Sequence, residues 1–229
     1  MKYIKNRNKE PEELSQYRDN TPDATYDGLP SKDIIRQSLV EEQGYICAYC
    51  MGKIDVDRSS IEHYISQTHH PASPYSEEEH KKHSLLYSNM YGVCLNQSEH
   101  CDKKRGNQPI QILDPHQASC EKLITYTLDG RIIPAVQDAD ANAEKIRNDI
   151  ILLGLNCKKL KDRRIAAKDE VWERFQNEFK KEDWDKNLFQ EKAEFYNNKH
   201  KKKGRYKFHA YCNFIAWFFK HYADNCKTK

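Results

Sequence analysis

Long apolar stretches are missing from this sequence. The longest strictly apolar run is Phe214–Phe219, far short of the roughly 20 residues a bilayer-spanning helix needs. The opening segment MKYIKNRNKEPEEL contains no apolar block of the kind that forms a signal-peptide core. Hydrophobic residues make up only 38% of the 229, and mean hydropathy is −0.99. A core is attainable but not generous, and the length suits one domain with an appendage or two small domains. A soluble, cytoplasmic protein with no membrane partner is expected.

Charge is nearly balanced overall at +3 but unevenly placed. Residues 1–139 carry a net charge of −5, and residues 140–229 a net charge of +8. A basic C-terminal half either faces phosphates or a partner, or is simply a solvated helical surface. Eight cysteines in a chain of this length, without an export signal, argue against a disulfide framework. Four of them, Cys47, Cys50, Cys94 and Cys101, bracket one segment. Cys120, Cys157, Cys212 and Cys226 show no ligand spacing and read as free thiols.

Four stretches follow from the pattern: a polar arm over 1–30, a cysteine-bracketed core over 31–115, a hairpin connector over 116–139, and a basic helical region over 140–229. The arm has room for one short helix at Pro11–Arg18. Ser31 is placed to cap a helix that buries Ile34, Ile35, Leu39 and Val40 and ends at Gly44. Residues 54–65 read as two short strands around a turn at 57–60. Residues 66–83, rich in His, Pro, Ser and Glu, read as a surface excursion, and the spacing of His69, His70, His80 and His83 does not suit a second metal. Asp129-Gly130 between Leu123–Thr127 and Arg131–Pro134 is a strong hairpin signal. Four helical patterns follow, through Ile146/Ile150/Leu153, Val171/Phe175/Phe179, Trp184/Leu188/Phe195/Tyr196 and Phe208/Tyr211/Ile215/Phe218/Tyr222. The last stripe reads as core or partner interface rather than a base-stacking platform. The run His200–Arg205 reads equally as a solvated loop or a phosphate contact.

Cys47-x-x-Cys50 puts two thiolates on one tight turn, at a separation suited to tetrahedral zinc. Cys94 and Cys101 would supply the other pair, with His100 as a rival for the place of Cys101. Between and just after the pairs lie residues suited to phosphodiester chemistry, which needs a base for water and a cation on the scissile phosphate. His63 can deprotonate water near neutral pH. Glu62 and Asp102 are hard oxygen ligands for Mg²⁺ or Mn²⁺, although Asp102 is equally placed to cap a helix. Asn89 can pin the loop that orients His63. Lys103, Lys104 and Arg105 would contact flanking phosphates.

In order, CAYC, IEHY, SNMYGVC and HCDKKRGN from Tyr45 to Asn107 resemble the HNH endonucleases. The resemblance implies an α+β protein with a zinc-stapled ββα-metal core and a C-terminal helical domain. It gives Glu62 a metal-ligand role and His63 the general-base role, and it aligns Asn89 with the family's middle Asn. Asp102 stands where the family usually has His or Asn. Lys104 stands where some relatives carry a second metal-binding amide, which Asn107 would replace. The opening MKYIKNRNKEPEEL, the ILDP stretch at Ile112–Pro115, the TLDGRIIP hairpin and LGLN…L…R (Leu153–Asn156, Leu160, Arg164) are similar to the HNH proteins of retron and Septu antiphage systems. That similarity implies an ATP-binding-cassette-like Septu ATPase as partner, with a retron reverse transcriptase and its RNA–DNA product as further partners. The implied substrate is DNA or RNA, tRNA included, and the polar arm would order on the ATPase. The rivals are a non-catalytic zinc module that binds nucleic acid and a subunit that gates the ATPase.

Overall fold

A computed structural model describes residues 1–5, 10–30, 32–95 and 99–226. Ser31, the expected cap, and part of the loop before His100 lie outside the described residues. The chain begins with α1 (Glu12–Asn20) and α2 (Lys32–Glu42). A knuckle over residues 45–53 follows, closed by an isolated bridge between Ile46 and Lys53. Then come β1 (Ser59–His63), α3 (Glu77–His83), β2 (Met90–Cys94) and the one-turn helix α4 (Asp102–Arg105). Next are α5 (Cys120–Leu123) and the hairpin β3 (Ile124–Tyr126) and β4 (Ile132–Pro134). The second half holds α6 (Ala141–Leu152), α7 (Lys158–Glu178), α8 (Lys186–Asn197), the hairpin β5 (His200–Lys202) and β6 (Arg205–Lys207), and α9 (Cys212–Asn225). Among the described residues no helix is long and apolar enough to cross a membrane.

The architecture is α+β, with three separate two-stranded antiparallel sheets. β1 pairs with β2 in the register Ser59↔Cys94, Glu62↔Tyr91 and His63↔Met90. Residues 54–65 therefore hold one strand, not two. Val56–Arg58 winds into a 3-10 turn capped by the Asp55 side chain, which accepts from the Arg58 amide at 3.0 Å, and the strand partner comes from residues 90–94. The excursion contains α3, which opens on a capping box between Ser76 and Glu79.

The main core runs from Met1 and Ile4 through the cysteine knuckle to Leu113, Tyr126, Ile146, Leu160 and Phe214. It draws on all four stretches defined by pattern, so residues 30, 115 and 139 do not separate independent cores. Met1 and Ile4 are buried in it, and Leu14 and Leu29 pack with Ile35, Leu39 and Met90 in a second cluster. The arm is held by apolar burial, at about 1.5–3 kcal/mol per large aliphatic side chain. Ile34 faces outward at 45% exposure, because the apolar side chains that α2 buries are Ile35, Leu39 and Val40. A third cluster joins α7, α8 and α9 through Val171, Phe175, Phe189, Ile215, Phe218 and Phe219. In α8 the buried aromatic is Phe189; Phe195 is 51% exposed and stacks on His200 at 3.9 Å. Phe208 precedes α9 instead of belonging to it.

The LGLN…R motif is a bracket. Gly154 has φ +58, and a Cβ there would stand 2.5 Å from the Glu99 carbonyl oxygen. Only glycine lets the loop before Cys101 come this close, and the Cys101 amide then donates to the Leu153 carbonyl at 2.8 Å. Asn156 pairs with both backbone groups of Ile132 at 2.8 Å. Buried Arg164 donates to the Gly130 and Leu155 carbonyls. The second half of the chain thereby braces the second cysteine pair from outside.

Candidate metal centre and adjoining cleft

The four clustered cysteines converge. Sγ–Sγ distances are 3.8 Å for Cys47–Cys101, Cys50–Cys94 and Cys94–Cys101. All four sulfurs lie within 4.8 Å of one another. A disulfide would bring two of them to about 2.05 Å. Tetrahedral zinc at about 2.3 Å from each sulfur separates the sulfurs by about 3.8 Å, so the donor set and spacing fit that ion. His100 is not a member of the set. Its Nδ1 faces Cys101 Sγ at 3.2 Å, placed to donate to a thiolate. Buried Gln43 ties the first knuckle to β2: its Nε2 donates to the Ile46 carbonyl at 2.9 Å and the Gly92 carbonyl at 2.6 Å, and its Oε1 accepts from the Gly92 amide at 2.7 Å.

Beside this centre lies a cleft of about 200 Å³ lined by Glu62, His63, Ser66, Gln67, Asp102 and Asn107, among others. Glu62 and His63 both line the cleft, although they are adjacent and both paired in the β1–β2 ladder, where alternation sends neighbours to opposite faces. His63 Nε2 lies 3.0 Å from the Ser84 carbonyl oxygen. That contact makes Nε2 the protonated nitrogen and leaves the lone pair on Nδ1, which faces Gln67 Nε2 at 3.3 Å. Burial lowers the imidazole pKa to about 4, against the Ser84 hydrogen bond, with Arg105 and Lys32 adding to the fall. Tyr26 meets the ring edge-on at 4.5 Å.

Asn89 bridges the chain on both sides of this histidine. Its Oδ1 accepts from the Ile65 amide at 2.7 Å, and its Nδ2 donates to the Ile65 and His83 carbonyls at 2.9 and 3.0 Å. His83 immediately precedes Ser84, the residue that orients His63.

Burial pushes the Glu62 carboxyl up to about 8; Arg105 pulls it down, and the nearby Asp102 carboxyl pushes it further up. Asp102 opens α4 without capping it, since Cys101 holds the cap position. The described residues contain one group of three or more metal-competent side chains within 4.8 Å of one another, the cysteine cluster, so Glu62, His63 and Asp102 do not close on one point that tightly.

Arg105 departs most from the expectation. It is 1% exposed and donates to Glu62 Oε1 at 2.5 Å, Tyr49 Oη at 3.1 Å, and the carbonyls of His63, Tyr64 and Gln108 at 3.1, 2.5 and 2.7 Å. It clamps the end of β1 and has no reach to flanking phosphates. Lys103 and Lys104 are exposed on the same short helix. The roles of Tyr49, Gln67 and Tyr26 carry no sequence signal, since each depends on a contact made across the fold.

No family model matches the chain. Over 128 residues, 28% are identical to a Vibrio cholerae serotype O1 biovar El Tor protein named "Retron Vc95 putative HNH endonuclease", covering 55% of this chain and 58% of that one. The chain resembles a retron HNH endonuclease. It spans less than two thirds of that relative's length.

Proposed function

We propose that this chain is a metal-dependent HNH-type endonuclease acting in antiphage defence. The observation that carries the reading is His63, held with Nδ1 as its basic nitrogen, in one cleft with Glu62 and Asp102. The likeness to the Vibrio cholerae protein supports it. In this reading His63 Nδ1 takes the proton of the attacking water. Asn89 keeps the Ser84 carbonyl in place, so the proton acceptor does not change tautomer. Glu62 and Asp102 would hold Mg²⁺ or Mn²⁺, which when bound supplies charge to the scissile phosphate. A divalent cation bound there would displace the proton that burial favours on Glu62, and the two carboxylates would then outnumber the single guanidinium of Arg105. Lys103 and Lys104 contact flanking phosphates. The four cysteines hold structural zinc.

The partners in this reading are an ABC-like Septu ATPase that controls cutting and a retron reverse transcriptase with its RNA–DNA product. The substrate is DNA or RNA, tRNA included. The test is co-expression with an ABC-like Septu ATPase during infection, with sequencing of the cleaved nucleic acid. His63→Ala is expected to keep zinc content and a cooperative melt and to abolish the cuts. A second reading, a non-catalytic zinc module, draws on the Glu62–Arg105 ion pair, which occupies one oxygen of the presumed ligand. Cuts that persist in His63→Ala, or none from the wild-type complex, would favour it.

A further inference from the structure

Residues 199–207 hold six Lys or Arg and no Asp or Glu. They fold into the β5–β6 hairpin, with Lys201 opposite Tyr206 and Lys202 opposite Arg205. Its turn is formed by Lys203 at φ +50 and Gly204 at φ +77, two left-handed residues in succession as a tight two-residue hairpin requires. Asparagine or glycine suits the first of these places; a lysine there is strained. The hairpin is anchored to the cysteine knuckle. The Phe208 amide donates to the Gly44 carbonyl at 2.9 Å, and Lys207 Nζ lies 3.9 Å from the centre of the Tyr45 ring, two residues before Cys47. On the opposite face Tyr206 is 62% exposed, with Lys201 across from it. Arg205 lies on the Tyr45 side with Lys207, its guanidinium 5.9 Å from the centre of that ring, yet it is exposed like Lys201, Lys202 and Lys203, and among the described residues none of the four joins an ion pair.

A merely solvated run does not need a strained lysine at its tip or an uncovered aromatic among its cations. We infer that this hairpin is a docking site for single-stranded nucleic acid: Lys201, Lys202, Lys203 and Arg205 engage phosphates, and Tyr206 stacks on an unpaired base. An exposed aromatic beside Lys201, with the turn lysine Lys203 at the tip and Lys202 and Arg205 on the other face, suits a strand whose bases are splayed out, not a duplex whose bases are already stacked. The choice of nucleic acid as occupant rests on the nuclease reading above.

The test is binding of the full chain, in buffer free of Mg²⁺ and Mn²⁺, to a fluorescein-labelled oligonucleotide as single-stranded DNA, as RNA and as a duplex, over a KCl series. Replacing Lys201, Lys202 and Arg205 together by Ala is expected to flatten the log–log salt slope for single strands by about 2, at about 0.7 per phosphate contact. Tyr206→Ala is expected to weaken single-strand binding about fivefold or more and leave duplex binding unchanged, with Tyr206→Phe restoring it. Lys203→Asn is expected to weaken binding without lowering the melting temperature. Absence of single-strand binding, or an unchanged slope in the triple variant, overturns the inference and leaves the hairpin to an acidic protein surface. Cleavage is scored separately with Mg²⁺ restored. A chain that binds through the hairpin but never cuts counts against the nuclease reading alone, and one that cuts with the hairpin variants binding normally counts against the hairpin alone.

Discussion

Arg105 Nη1 lies 2.5 Å from Glu62 Oε1, and both side chains are almost wholly buried. The same guanidinium donates to the His63 and Tyr64 carbonyls that follow Glu62 on the chain. One residue from α4 thus pairs with the candidate ligand and holds the backbone path of the candidate base.

Removing this clamp should unfold more than it frees. Arg105→Ala leaves the buried Glu62 carboxyl with the Tyr49 hydroxyl as its donor and takes the guanidinium from several carbonyls, and breaking one side of a buried ion pair costs about 3–5 kcal/mol. Arg105→Lys is expected to recover little, because an ammonium cannot donate from a planar fork to Gln108, Glu62 and Tyr64 at once. Chemical denaturation of both variants measures this. A loss under about 1 kcal/mol in either would mean the cleft does not depend on the clamp.

The cysteine cluster predicts a structural metal. One zinc per chain is expected by elemental analysis, and Cys47→Ser or Cys101→Ser should lower both zinc content and melting temperature. Stripping the ion with a strong chelator should destabilise the fold cooperatively, since the knuckle sits inside the main core. Cys120→Ser, a buried thiol far from the cluster in sequence, should leave zinc content unchanged.

How much of this was legible depends on the range over which each residue acts. The cysteine spacing and the Asp129-Gly130 hairpin are local signals, and both elements form as read. The Ser76-x-x-Glu79 capping box is equally local, but the polarity of the segment around it suggests a loop and masks it. Arg105 was hidden by its neighbours. In Lys-Lys-Arg all three side chains look solvent-facing, and only the one-turn α4 rotates the third inward, where Tyr49 and Glu62 wait on other elements. The β5–β6 hairpin escaped notice because it lacks the alternating apolar face by which strands announce themselves.

His63 gives a signed pH dependence. Its pKa falls from 6.5 to about 4 on folding, so the unfolded chain binds the extra proton between those values and stability rises with pH across that window. The contribution is fully present above about pH 6.5, is lost as pH falls toward 4, and amounts to about 3 kcal/mol. Glu62, raised to about 8, acts in the opposite sense, losing stability as pH rises from about 4.5 to 8. The difference in unfolding free energy between wild type and His63→Gln isolates the histidine. It should grow in favour of wild type from pH 4 to 6.5 and then level off. A flat difference would mean that the imidazole is not held neutral by burial.

Gly154 links the helical half to the metal centre and yields the last prediction. At φ +58 any L side chain is strained by about 1–2 kcal/mol. A Cβ would also meet the Glu99 carbonyl oxygen and then the His100 Cα at 3.1 Å, backbone that cannot retreat without pulling on Cys101. Gly154→Ala should therefore lower stability by about 2 kcal/mol or more and speed zinc release to a chromophoric chelator. Gly204→Ala, at φ +77 with nothing within 4 Å of the new methyl group, carries the conformational strain without the clash. It should not speed zinc release. Equal zinc-release rates in the two variants would mean that the contact between residues 99–101 and the Leu153–Asn156 turn does not hold the second cysteine pair in place.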